Sequence, residues 1–259
     1  MASAHGTTLA APIQPTSAAR ARDWAEIQER TLVPLYQAVH ERLAVGPATS
    51  LLDLGCRSGL ALLLAAGRGA QVAGLEPDPE LRDLARARRL PVAHRPATRS
   101  AHGVVTVFEP LRLTGDPLRA AREAARLVLP GGLVALAGFG PRGACESDAV
   151  LEVARRRAGA AARGVDPFRL DGTAELARLA AAAGLRVVTE GQADCPFGYP
   201  DLDSAVRGLL ATGWFDAAIA YAGAAPVAKE VAEALLPFTR TDDTVRMANA
   251  FPYVVAKRS

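Results

Sequence analysis

From Ser50 onward the chain alternates short apolar runs with longer segments whose apolar residues recur every three or four positions. SLLDL, QVAGLE, PVAH, GVVTVFE and LVALAGF read as strands, while GLALLLAAG, PELRDLARARR and DPLRAAREAARLVL read as helices, the last punctuated by PGG. Strands of continuous apolar character separated by helices predict a parallel sheet covered on both faces, an α/β domain. In such sheets ligands bind beyond the carboxyl ends of the strands, where strand order reverses. The ends concerned are Asp53 to Gly59, Glu76, and Phe108 to Pro110.

Ahead of this core, RDWAEIQERTLVPLYQAVHERLAV places Trp24, Ile27, Leu32, Leu35, Val39 and Leu43 at helical intervals, interrupted near Pro34, which predicts two helices or one bent one. Behind it, SDAVLEVARRRAGAAAR and TAELARLAAAAG read as helices, the second closed by Gly184, and LRVVTEGQAD as a strand. DLDSAVRGLLATG and PVAKEVAEALLPF read as further helices, and VRMANAFPYVVAK as a last strand with Pro252 near a bend or edge.

Composition narrows the function classes. The net charge of +3 comes from arginines that alternate with apolar residues in LRDLARARRL and LEVARRRAGAAARG, the pattern of solvated helix faces rather than of a nucleic-acid stripe. Cys56, Cys145 and Cys195 are odd in number and far apart, which gives neither a disulfide framework nor zinc spacing. No apolar run approaches the roughly 18 residues of a membrane span, and MASAHGTTLAAPIQPTSAAR lacks the basic head and apolar centre of a signal peptide. The expectation is a cytoplasmic protein with a floppy start, no metal site, no membrane and no nucleic-acid partner.

LLDLGCRSG carries the first chemical signal. It lacks the Gly-Lys-Ser/Thr ending of a P-loop. With Gly55 and Gly59 four apart, it also lacks the Gly-x-Gly-x-x-Gly of a nicotinamide fold. Glu76 follows about 20 residues later, the separation at which a carboxylate meets ribose hydroxyls. The alternative is that Glu76 only favours the N-terminus of the next helix.

Taken in order, LLDLGCRSG, GLEPDPELRDLARAR, GVVTVFEP and LVLPGGLVAL span Leu51 to Gly138 and resemble the class I S-adenosylmethionine-dependent methyltransferases, in the small-molecule group with an LDxGCGxG loop. DWAEIQERTLVPLY, CPFGYPDLDSAVRGLL and MANAFPYVVAKR extend the resemblance on either side. It implies a Rossmann-like fold with a seven-stranded, mostly parallel sheet, an antiparallel last strand and a helical cap insertion. LRVVTEGQAD and the C-terminal segment would form an antiparallel edge. The corresponding division is a tail at 1–20, N-terminal helices at 21–48, the core at 49–196, the cap at 197–243 and a C-terminal edge strand at 244–259.

The implied cofactor is S-adenosylmethionine. Asp53, Gly55, Cys56 and Gly59 would shape the pocket for its amino-acid end, Glu76 would hold the ribose, and Phe108 to Leu111 would face the methyl group. The sulfonium is already activated, so positioning the acceptor supplies most of the acceleration. Glu109 is the candidate to touch the acceptor or take its proton, with capping of the next segment as the alternative. The expected reaction is methylation of a small molecule at oxygen, nitrogen or carbon, in a secondary-metabolite setting, and an Ala-rich cap could support a homodimer.

Two departures qualify this picture. Arg57 stands where the pattern has a glycine, and it either fills the pocket, points outward or pairs with the cofactor's carboxylate. VAHRPATRSAHGVVTVF contains no acid to meet the adenine amino group; it holds His94, Arg95, Arg99 and His102 in a short crossover with little room for a helix. A rival reading follows, in which the fold has lost methyl transfer and serves as a non-methylating cyclase or isomerase, or as a ligand-binding accessory protein. Tyr36 and His40 are candidates to line the pocket or to join the core, and Tyr199, Trp214 and Tyr221 to receive an aromatic or apolar acceptor or simply to pack.

Overall fold

A computed structural model describes residues 17–97, 101–108, 116–158 and 166–259. The described chain is helical from its first residue, so helix begins inside the stretch expected to be tail. Helix α1 (Ser17–Asp23) runs without a break into a π-helical turn (Trp24–Gln28), a 3-10 turn (Glu29–Leu32) and α2 (Val33–Arg42). Pro34 lies in the first turn of α2, where its missing N–H is not needed. The result is one bent helix. Widening and then tightening the helix re-aims successive residues, and Trp24, Ile27, Gln28, Glu29, Thr31 and Leu32 all become buried, an arc too wide for a regular amphipathic helix.

The core follows as β1 (Ser50–Leu54), α3 (Leu60–Gly67), β2 (Gln71–Leu75), α4 (Pro79–Ala87), β3 (Val92–Ala93), β4 (His102–Val107), α5 (Pro117–Leu127) and β5 (Val128–Ala137). Helix α6 (Ser147–Ala158), α7 (Thr173–Ala182) and β6 (Leu185–Asp194) complete the first pass, and Gly184 at φ +79° ends α7 as expected. The chain then forms the cap, with β7 (Phe197–Tyr199), α8 (Leu202–Leu210), α9 (Asp216–Ala222), α10 (Ala224–Leu235) and β8 (Val245–Met247), and returns as β9 (Ala250–Arg258).

Seven strands make one sheet in the order β3-β2-β1-β4-β5-β9-β6. β1 pairs in parallel with β2 and β4, and β9 runs antiparallel to both β5 and β6. The antiparallel last strand is therefore present, but the C-terminal strand is not at the edge as expected. It is inserted between β5 and β6, and β6 forms the edge. The reason is visible in burial: Ala250 to Ala256 are buried without interruption, whereas β6 alternates partly buried and exposed positions between Leu185 and Ala193, as a half-covered edge does. Pro252 nevertheless lies within β9, where its carbonyl accepts the Gly138 N–H at 3.1 Å.

Strand residues divide between two apolar layers. Leu51, Val104, Ala135 and Phe108 face α2, α3, α4, α6 and the cap. Leu52, Val105, Val107 and Leu136 face α5 and α7. VRMANAFPYVVAK yields two strands rather than one, because Val245–Met247 pairs with Phe197–Tyr199 as a separate ribbon at the base of the cap. Residues 94–97 and 101, in the crossover from β3 to β4, carry no helix, in keeping with its shortness.

Candidate functional site

The loop after β1 turns by repeated use of left-handed backbone: Gly55 at φ +74°, Arg57 at +52° and Gly59 at +85°. The N–H groups of Gly55 and Cys56 both donate to the Leu75 carbonyl, at 2.8 and 3.1 Å, which carries the loop across the end of β2. A Cβ on Gly59 would stand 2.5 Å from Leu90 Cδ1 and 3.3 Å from Ala85 Cβ, so the absence of a side chain lets the start of α3 lie on the end of α4. Arg57 has no such freedom, and its left-handed backbone costs about 1–2 kcal/mol.

Glu76, buried at the end of β2, holds this loop from below. Its Oε2 accepts the Arg57 N–H at 2.8 Å and its Oε1 the Asp78 N–H at 2.8 Å. Burial pushes its carboxyl up, opposed by these two N–H groups and the Arg57 charge. Asp78 in turn caps α4, accepting from Glu80 and Leu81, with Pro79 behind it. Asp53, buried in β1, accepts the Thr106 hydroxyl of β4 at 2.7 Å. Burial pushes Asp53 up to about 7; the Thr106 hydrogen bond opposes this, and the charges of Glu29 and Glu76 add to it. Cys56 is buried, and desolvation with three neighbouring acids drives its thiol far above the ordinary range, so it packs and does not attack.

A second clamp, unforeseen from the sequence, grips the other side of the loop. Glu29 accepts the Ser58 hydroxyl, the Leu60 N–H at 3.2 Å and Arg88 Nη1 at 3.1 Å. Leu60 opens α3, so Glu29 places a carboxylate at a helix N-terminus, where the dipole favours it. Arg88 also donates to the Ser58 carbonyl at 2.9 Å and to the Ala25 carbonyl at 3.4 Å, which joins α4, the loop and the bent helix. The available signal was Glu29 itself, an acid on the buried arc that begins at Trp24.

The Arg57 side chain points inward. Its guanidinium lies 4.2 Å from the centroid of the Trp24 ring, and its Nη2 donates to the Ala211 carbonyl at the end of α8 at 3.4 Å. Among the described residues it makes no ion pair, and its Nε and Trp24 Nε1 are buried without a hydrogen-bond partner.

Phe108, just beyond β4, is buried against Tyr36 at 4.9 Å and His40 at 6.4 Å between ring centroids. Tyr36 and His40 are thus brought to Phe108 and belong to the core layer. Both ring nitrogens of His40 lack a hydrogen-bond partner among the described residues, and burial lowers its pKa to about 4, helped by the Arg68 charge. Glu109 and Arg99 lie outside the described residues. His94 and Arg95 are exposed, and His102 starts β4 with its Nδ1 3.1 Å from Ser50 Oγ, at the opposite end of the sheet from the loop. In the cap, Tyr199 is buried and donates to Gln28 Oε1 at 2.7 Å, while Trp214 packs on Phe139 and Phe197; Tyr221 is 77% exposed.

A stability profile tests the buried acid. Because Asp53 is raised in the folded chain, its contribution to stability is full below about pH 4 and is lost as pH rises through about 7. Asp53→Asn keeps an acceptor for Thr106 and removes the ionisation, so it is expected to raise stability near pH 8 by on the order of 2–3 kcal/mol and to do little at pH 4. His40 has the opposite sign, losing stability as pH falls from about 6.5 through about 4, so the variant's melting temperature should fall more steeply on acidification than the parent's. Parallel melting curves for the two proteins across this range would show that Asp53 is not held in this state.

The sheet order, the loop after β1, the acid ending β2 and the cap before an inserted last strand define a Rossmann-like methyltransferase fold. Comparison with known proteins agrees: residues 20–190 match a methyltransferase domain family, and the chain belongs to that family. A ubiquinone biosynthesis O-methyltransferase of Vibrio cholerae is 35% identical over 96 residues, which cover 32% of this chain and 39% of that protein. The match therefore spans about two-fifths of the relative's length. Among solved structures, a methyltransferase from Geobacter sulfurreducens in complex with S-adenosylhomocysteine superposes with a TM-score of 0.53 at 18% identity, covering 90% of this chain and 92% of that one. The cyclase SpnF gives a TM-score of 0.53 at 18% identity over 86% of this chain and 80% of that one. These two likenesses concern the fold. Among the described residues, no helix is long and apolar enough to cross a membrane.

Proposed function

We propose that this chain binds S-adenosylmethionine at the loop between β1 and α3 and transfers its methyl group to a small molecule. The observation that carries the reading is Glu76, a buried carboxylate at the end of β2, directly beneath a left-handed loop. Each of its oxygens accepts one backbone N–H, and a carboxylate oxygen has room for a second donor, so the residues fit a ribose diol. Asp53, Glu29 and Glu76 make the surroundings of the loop acidic, which suits a ligand bearing a sulfonium and an ammonium group. The Arg57 guanidinium, lying between the Trp24 ring and the Ala211 carbonyl, would have to move to admit such a ligand.

When bound, the cofactor supplies an activated methyl group, and the chain supplies position. Glu76 would hold the diol; Asp53, Gly55, Cys56 and Gly59 set the path of the loop; Phe108, packed on Tyr36, fixes the end of β4; and Glu109, next in the chain, would take the acceptor's proton. Between α1 and helices α8 to α10 lies a cleft of about 720 Å³, floored by Val206, Leu210, Ala211 and Ile219. Its rim charges are largely paired, Arg20 with Asp216 and Arg207 with Asp23. That size and lining favour a small, mostly apolar acceptor.

Arg57 also favours a second reading, a methyltransferase-like protein that binds a ligand without transferring a methyl group. Calorimetric titration with S-adenosylmethionine and S-adenosylhomocysteine addresses the first requirement of the main reading. Micromolar dissociation constants are expected, and no heat of binding at millimolar ligand contradicts it.

A further inference from the structure

The position that the loop pattern reserves for a glycine holds a cation that the rest of the site surrounds. Arg57 lies against the face of Trp24 and within the field of Glu76, Glu29 and Asp78, with Arg20 opposing. Its backbone N–H is one of the two that Glu76 accepts, the other being that of Asp78. Its side chain spans from the bent helix to the cap, so the two elements that cover the loop are joined through it. Yet among the described residues its side chain is held, besides the Trp24 face, by one hydrogen bond of 3.4 Å, with no ion pair and with a buried Nε that has no acceptor. A buried donor left without an acceptor is destabilised, so this arrangement is one that can be left at low cost.

We propose that Arg57 is a resident cation occupying the cationic end of the ligand cleft, and that a positively charged nucleoside enters by displacing its guanidinium from Trp24 and Ala211. The proposal rests on the reading of the cleft as an S-adenosylmethionine site. It makes Arg57 a determinant of affinity and of charge preference: the cleft is built for a positive group and carries one of its own. Displacement also removes one of the links between the bent helix and the end of α8, beside the Arg207–Asp23 ion pair and the Tyr199–Gln28 hydrogen bond, which couples ligand entry to the contact between the cap and the N-terminal helix.

The test compares the full chain with its Arg57→Gly variant by calorimetry. It also reads tryptophan emission in a Trp214→Phe background, which leaves Trp24 as the sole tryptophan. Arg57→Gly is expected to bind S-adenosylmethionine at least about tenfold more tightly, with a smaller gain for S-adenosylhomocysteine, whose sulfur is uncharged. Methylguanidinium is expected to shift the Trp24 emission of the Arg57→Gly protein saturably toward that of the Arg57 parent. Unchanged or weaker S-adenosylmethionine binding by a folded Arg57→Gly protein overturns displacement, and weaker binding assigns Arg57 to the ligand's carboxylate instead. If neither protein binds either nucleoside, the cofactor reading fails; the methylguanidinium arm then decides the cation site by itself, and no saturable response overturns it. The calorimetric arm uses the unsubstituted Trp214, so it stands even if Trp214→Phe fails to fold.

Discussion

Arg88→Ala is expected to destabilise the chain by about 3–5 kcal/mol, the cost of removing one partner from a buried ion pair. For a chain of this size that is a fall in melting temperature on the order of 10 °C. Glu29 is 1% exposed and Arg88 27% exposed, so the loss comes mainly from the carboxylate left behind. The Ser58 hydroxyl and Leu60 N–H remain to it, which is two donors where there were three. Burial already raises the Glu29 carboxyl, and without Arg88 it should rise further. The penalty should therefore shrink as pH falls and Glu29 is protonated in the variant. Glu29→Gln, which removes the charge and keeps the volume, should recover part of the loss when combined with Arg88→Ala. A fall of less than about 1 kcal/mol for Arg88→Ala would mean that the clamp resembles a surface pair.

Glu76→Ala has the largest expected effect on ligand binding. Hydrogen bonds to a charged group contribute about 1.5–3 kcal/mol each, so loss of the diol acceptor should weaken S-adenosylmethionine binding by roughly 30-fold or more. The same change releases the N–H groups of Arg57 and Asp78, on the loop and at the cap of α4. Binding and loop order should therefore decline together. Glu76→Gln, with one acceptor oxygen in place of two, should fall between Ala and the parent. Calorimetry reads the series, and an unchanged dissociation constant for Glu76→Ala contradicts the assignment of the ribose site to Glu76.

Much of the fold was legible because buried parallel strands leave continuous apolar runs. SLLDL and LRVVTEGQAD appear as strands at the boundaries their patterns suggest, and QVAGLE as a strand that ends one residue earlier, at Leu75. The placement of β9 was less legible, since an inserted strand and an edge strand of the same composition differ only in which neighbours bury them. The small ribbon of β7 and β8 is three residues a side, too short for periodicity to separate from loop. PGG was expected to separate helix from strand, whereas β5 already begins at Val128, before Pro130.

The site divides in the same way. The positions of Asp53, Gly55, Gly59 and Glu76, at the ends of β1 and β2 and in the loop between them, were legible because one motif sets them. Trp24, Glu29 and Arg88 were not, because their meeting depends on the π turn followed by a 3-10 turn, which a 3.6-residue period does not reveal. Arg57 was conspicuous in the sequence, but its direction was not. Its left-handed backbone and the Trp24 ring set that direction. His40, a polar group on an apolar helix face, proves to be a core residue with neither nitrogen hydrogen-bonded among the described residues.

Hydrogen–deuterium exchange with and without saturating S-adenosylmethionine tests the central claim most directly, because it reports where the ligand acts. Increased protection is expected in the segments holding Leu54 to Leu60 and Glu76 to Leu81, which the Glu76 and Glu29 carboxylates connect to the ends of β1 and β2. Binding with no added protection in these segments, or with protection confined to other parts of the chain, contradicts a cofactor site at this loop.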